Sequence, residues 1–107
     1  MVVQVTDANF DQFILQNPYA VICFYDKING PSKFMLPILY EIADEYKDII
    51  YVGLYDVYKA GNEKERARNN ITAIPTFLFY KNGEVINKHI GICSAAQLKT
   101  NFEETLA

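Results

Sequence analysis

Apolar positions along the chain follow two rhythms. Ala20-Val21-Ile22-Cys23-Phe24-Tyr25 runs through six apolar residues without alternation, the pattern of a strand covered on both faces, as in the centre of an α/β sheet. Ile49 to Val57 and Phe77-Leu78-Phe79-Tyr80 repeat it, and Val2 to Val5 is a shorter strand-like run. Between these runs the apolar residues recur at intervals of three and four. Phe10, Phe13 and Ile14 form one such stripe. Phe34, Met35, Ile38, Leu39, Ile42, Ala43 and Tyr46 form a longer one reaching about Lys47, and Leu98, Phe102 and Leu106 a third. This spacing predicts helices that each bury one face.

Polar punctuation divides the runs. Thr6 is an expected N-cap for the first helix, and Asn17-Pro18 ends it, because the residue before a proline is driven out of the α region. The second helix follows Asn29-Gly30-Pro31-Ser32, and Pro37 should kink it. A short charged helix is expected from about Gly61 to Asn69. Lys81-Asn82-Gly83-Glu84, set between two strand-like runs (the second Val85 to Ile90), is a hairpin signal. Ser94-Ala95-Ala96-Gln97 has the form of a capping box. The predicted order is βαβαβαββα. It implies a single α/β domain over residues 1–107, with a mixed central sheet and helices on both faces.

Composition narrows the function classes. The chain is 50% hydrophobic and 21% charged, with a formal net charge of −3. It offers no basic field for nucleic acid, and Lys64 to Arg68, interleaved with Glu63 and Glu65, reads as a solvated helix face. No apolar run approaches the roughly 20 residues of a membrane helix. The opening residues lack a basic region and a long apolar stretch, so a cytoplasmic protein without membrane attachment is expected. On the same ground Asn70-Ile71-Thr72 is taken as a chance glycosylation sequon. The cysteines, Cys23 and Cys93, belong to no C-x-x-C pair, and His89 is the sole histidine. No metal site or cofactor is expected. Tyr51 and Tyr55 share a strand face, Tyr58 lies beyond it, and all three are expected to pack under helices or at a sheet end.

The order of elements and three local signatures resemble the thioredoxin family over essentially the whole chain. Phe24-Tyr25-Asp26-Lys27-Ile28-Asn29-Gly30-Pro31-Ser32-Lys33 lines up with the family's F-W-A-x-W-C-G-P-C-K. Pro37 falls where the family kinks its second helix. Ile74-Pro75-Thr76-Phe77 matches the cis-proline loop opposite the family's active site. The hairpin residues and Gly91 also match.

At the chemistry the chain departs from the family. Asn29 stands at the attacking cysteine and Ser32 at the resolving cysteine. Thiol–disulfide exchange needs a thiolate and a second sulfur; an amide is not nucleophilic at neutral pH, and a hydroxyl cannot form a reversible S–S bond. By the same alignment Cys23 replaces the family's buried acid, Gly53 its neighbouring lysine, and Tyr25 and Ile28 its tryptophans. Asn29 is well suited to cap the second helix and Pro31 to its first turn. Ser32 has no histidine base close by, which disfavours a serine hydrolase.

The resemblance implies a docking surface for an extended peptide, formed by Ile28, Gly30, Pro31, Ile74, Pro75, Gly91 and Ile92. The expectation is a redox-inactive monomer that binds a protein or peptide. Two alternatives stay open: a monothiol redox protein using Cys93, which aligns beside that surface, and a disabled variant of an active thioredoxin. Cys23, in the central strand, is expected to be inert.

Overall fold

The computed structural model describes residues 2–107 and shows β1 (Val2–Gln4), α1 (Phe10–Gln16), β2 (Tyr19–Tyr25), α2 (Gly30–Glu45), β3 (Tyr51–Asp56), α3 (Lys64–Arg68), β4 (Thr76–Lys81), β5 (Glu84–Ile90) and α4 (Ala95–Leu106). The order is the one read from the hydrophobic pattern. The five strands form one sheet in the order β1-β3-β2-β4-β5. β3 runs parallel to both β1 and β2, while β4 is antiparallel to β2 and β5. The uninterrupted apolar run 20–25 is thus the middle strand, buried from Ala20 onward.

Because strand side chains alternate, the sheet has two apolar faces. Val21, Cys23, Phe77 and Phe79 pack with Met35 and Leu39 of α2 and Leu98 and Phe102 of α4. Ala20, Ile22, Phe24, Tyr55 and Leu78 pack with Phe10 and Ile14 of α1. Asn17 closes α1 before Pro18, and Pro37 lies inside α2. The β4–β5 turn is Asn82-Gly83, at φ +52° and +83°, the left-handed pair that makes a two-residue hairpin compatible with strand twist.

Several local expectations change. Thr6 does not cap α1. Asn9 occupies that position, and its side-chain oxygen turns back to accept from the Thr6 N–H at 2.7 Å, so no side chain caps the helix. At α4, Ser94 accepts from the Gln97 N–H at 3.0 Å, but the Gln97 amide bonds Asn101 instead of reaching back, leaving half a capping box. α3 is shorter than expected and its face is not wholly solvated. Glu65 is fully buried and paired with Arg68 at 3.3 Å and Lys64 at 3.7 Å. Of Tyr51, Tyr55 and Tyr58 only Tyr55 is buried, against Phe10 and Phe24, while Tyr51 and Tyr58 are exposed. Among the described residues no helix is long and apolar enough to cross a membrane.

Candidate functional site

The site grows from one end of the sheet. β2 ends at Tyr25, and the chain turns through Asp26 to Asn29 before entering α2. Asn29 is extended (φ −74°, ψ 129°), and its side-chain oxygen accepts from the Ser32 N–H at 2.9 Å. Its carbonyl also accepts from the Lys33 N–H at 2.9 Å. Asn29 is therefore a complete N-cap, and Pro31, with no N–H to satisfy, fits the first turn. Such a cap contributes about 1 kcal/mol. Ser32 is fully buried and its hydroxyl accepts from the Asp26 N–H at 3.3 Å, closing the loop against the start of the helix. Asn29 and Ser32 thus hold the loop together by hydrogen bonds.

The Ile74–Pro75 peptide bond is cis and stands beside this loop. Thr76, the next residue, pairs with Phe24 at the end of β2 and with Ile90 at the end of β5, and the Pro75 carbonyl accepts from the Gly91 N–H at 2.7 Å. These contacts gather residues 74–75 and 91–92 at the end of the sheet where α2 begins. Pro75 is buried and Ile74 half-buried, while the Ile74 N–H and carbonyl make no hydrogen bond among the described residues. Ile28 is 80% exposed and Ile92 53% exposed. Gly30 is exposed and Pro31 and Gly91 are half-exposed between them.

The two cysteines are free thiols in different surroundings. Cys23 is wholly enclosed, and burial pushes its thiol far above the usual range. Cys93 is half-buried beyond β5, its N–H directed at the Met35 sulfur at 3.5 Å, and burial raises its thiol too. Cys93 directly precedes Ser94, the N-cap of α4, yet burial is what shifts both thiols, and it disfavours the thiolate.

The β2–β3 register corrects one alignment. Cys23 pairs with Leu54, whereas Gly53 pairs with Ile22. A Cβ on Gly53 would point to the α1 face and lie 2.5 Å from a Val5 methyl. Leu54, not Gly53, is therefore the neighbour of Cys23 on the α2 face, and an apolar pair occupies the two positions. His89 lies on β5 with its ring 6.2 Å from that of Phe77, and its Nε2 is buried without a partner among the described residues.

Two features of this end of the sheet were not singled out from the sequence. Asp26 is buried directly before the loop, and with Tyr25, Asp56 and Lys59 it lines a cleft. Asp7, beyond β1, accepts from the Tyr55 hydroxyl at 2.6 Å and from the N–H groups of residues 63, 64 and 65 at 2.8 to 3.0 Å. Burial alone would raise its carboxyl, but the hydroxyl and the three amides outweigh burial and hold it at about 2. The sequence carries only a weak signal for either residue, an acid just after a strand.

With this geometry in place, comparisons with known proteins agree. The thioredoxin family model matches residues 1–104. A thioredoxin from Buchnera aphidicola subsp. Baizongia pistaciae is 34% identical over 99 residues, covering 92% of this chain and 89% of that protein. A thioredoxin from Staphylococcus haemolyticus is 33% identical over 105 residues, covering 98% and 94%. Chloroplastic thioredoxin Y1 from Arabidopsis thaliana is 35% identical over 98 residues, or 92% of this chain and 52% of that protein. On the strength of the five-stranded mixed sheet, the loop leading into α2 and these matches, the chain belongs to the thioredoxin family.

Proposed function

We propose that this thioredoxin-family protein has lost the dithiol cycle and binds an extended protein or peptide segment at the former active-site surface. The observation that carries the reading is the pairing of an unbonded Ile74 N–H and carbonyl with exposed apolar side chains at Ile28 and Ile92. Backbone groups of that kind add a strand by hydrogen bonding, and adjacent apolar side chains set its affinity. Asn29 and Ser32 are consumed in capping and loop closure, which supports a site kept for shape. The raised thiol of Cys93 weighs against the monothiol alternative.

Reduction of insulin by the wild type, Cys93→Ser and Asn29→Cys/Ser32→Cys tests the chemistry. Activity confined to the double variant is expected. Activity in the wild type that Cys93→Ser abolishes overturns the reading in favour of a monothiol enzyme. Ile74→Glu and Pro31→Glu test the surface: each should lose binding of a peptide or protein ligand while the chain stays folded, and retained binding sinks the docking role.

A further inference from the structure

β5 is one edge of the sheet, and β1, the other, has only three described residues. An edge strand holds out N–H and carbonyl groups to any strand that can reach them. Which groups β5 holds out follows from its pairing with β4. Gly91 donates to the Pro75 carbonyl at 2.7 Å, so these opposed residues form a hydrogen-bonded pair. Such pairs alternate along an antiparallel ladder, which makes Phe77–His89 and Phe79–Asn87 the next ones. The backbone groups of Lys88 and Ile90 therefore point away from the sheet. The exposed apolar side chains of Ile86 and Ile90 flank Lys88 on either side.

The middle of this edge is closed from within. The Lys88 N–H donates to the side-chain oxygen of Asn87 at 2.9 Å. The Asn87 amide nitrogen donates in turn to Glu104 Oε1 of α4 at 3.3 Å, which fastens the carboxamide in place. Asparagine is a poor strand former, and here its carboxamide takes the donor that an incoming strand would use.

A second copy of the chain is the strand that fits. Ile86-Asn87-Lys88-His89-Ile90 reads alike in both directions, apolar at each end and polar between. Antiparallel pairing about a two-fold axis at Lys88 sets Ile86 of each chain opposite Ile90 of the other. Its central hydrogen bonds run from the Lys88 N–H of one chain to the Lys88 carbonyl of the other, and that N–H is the one Asn87 occupies. The same register opposes the two Lys88 side chains, a like-charge contact that adds to the barrier.

We propose that the β5 edge is a masked surface for pairing with a second copy of this chain, and that Asn87, fastened by Glu104, is the latch that keeps it closed. The latch does not rest on the peptide-binding reading, since neither residue belongs to that surface.

Sedimentation equilibrium over a dilution series tests it, with circular dichroism confirming that each variant is folded. The wild type should stay monomeric at concentrations at least about tenfold above those that half-dimerise Asn87→Val, the least change expected for one released donor. Glu104→Ala leaves β5 untouched and only unfastens the latch, so it should shift self-association the same way by less. Ile90→Pro removes an outward N–H and no ladder bond, so Asn87→Val/Ile90→Pro should return to monomer. In dilute solution, where every variant is monomeric, the Lys88 amide should exchange with solvent faster in Asn87→Val than in the wild type. Self-association equal to the wild type in both Asn87→Val and Glu104→Ala, a dimer that survives Ile90→Pro, or an unchanged Lys88 exchange rate would each overturn the proposal.

Discussion

Asp7 and Asp26 each follow the C-terminal end of a parallel strand, yet their surroundings differ sharply. Asp7 ties β1 to β3 and to the start of α3 through the Tyr55 hydroxyl and three backbone amides. Asp26 is more deeply buried and its carboxylate has no partner among the described residues. A saturated carboxylate is a structural joint. One that lines an open cleft without a protein partner ties no segment in place. The two aspartates thus separate a carboxylate that holds this fold from one that does not.

The largest expected effect is on the joint. Asp7→Ala leaves the Tyr55 hydroxyl and three amides to find water, and should cost about 3 kcal/mol of folding stability by urea unfolding. A loss below about 1 kcal/mol would erase the contrast. The pH dependence follows with a definite sign. Because the folded carboxyl is held at about 2, below the unfolded value of about 3.9, its stabilisation is complete above that unfolded value. It is lost as pH falls toward the folded one. Asp7→Asn should therefore flatten the acid limb of the stability curve, and an unchanged limb would assign that limb to other carboxylates.

Smaller effects sharpen the comparison. Asn29→Ala removes a cap bond from α2 and should cost about 1 kcal/mol in a thermal or urea melt. Asp26→Asn is expected to change stability least, by no more than about 0.5 kcal/mol in either direction, since it removes no side-chain contact. A loss comparable to that of Asp7→Ala would show that Asp26 has a structural partner in solution.

The fold was legible because its elements announce themselves locally. The run 20–25 is apolar at every position because both faces of β2 are covered, and Asn82-Gly83 supplies the left-handed residues a two-residue hairpin requires. The loop into α2 was legible through its resemblance to the family motif, and Asn29 as a cap through helix chemistry. What escaped the sequence depends on distant segments. The bonds of Asp7 reach across 48 to 58 residues. Glu65 looked like one member of a charged run until folding placed it in the interior with Arg68. The neighbour of Cys23 is set by strand register: the family resemblance points to Gly53 and the pairing to Leu54, and one residue changes the face. Asp26 carries no local mark, since its isolation arises only when three strand ends and a loop meet.

The enclosure of Cys23 in the middle strand gives the protein an internal clock. A thiol reagent can reach that sulfur only when β2 parts from β3 and β4, which is nearly the whole molecule coming open. Cys93, half-exposed, should label first and fast, leaving Cys23 to react at the pace of global opening. In the slow-reagent limit that pace reports the equilibrium population of the open state, and in the fast-reagent limit the unfolding rate itself. With Cys93→Ser removing the early phase, a single native sulfur would time the unfolding of the domain without any added label.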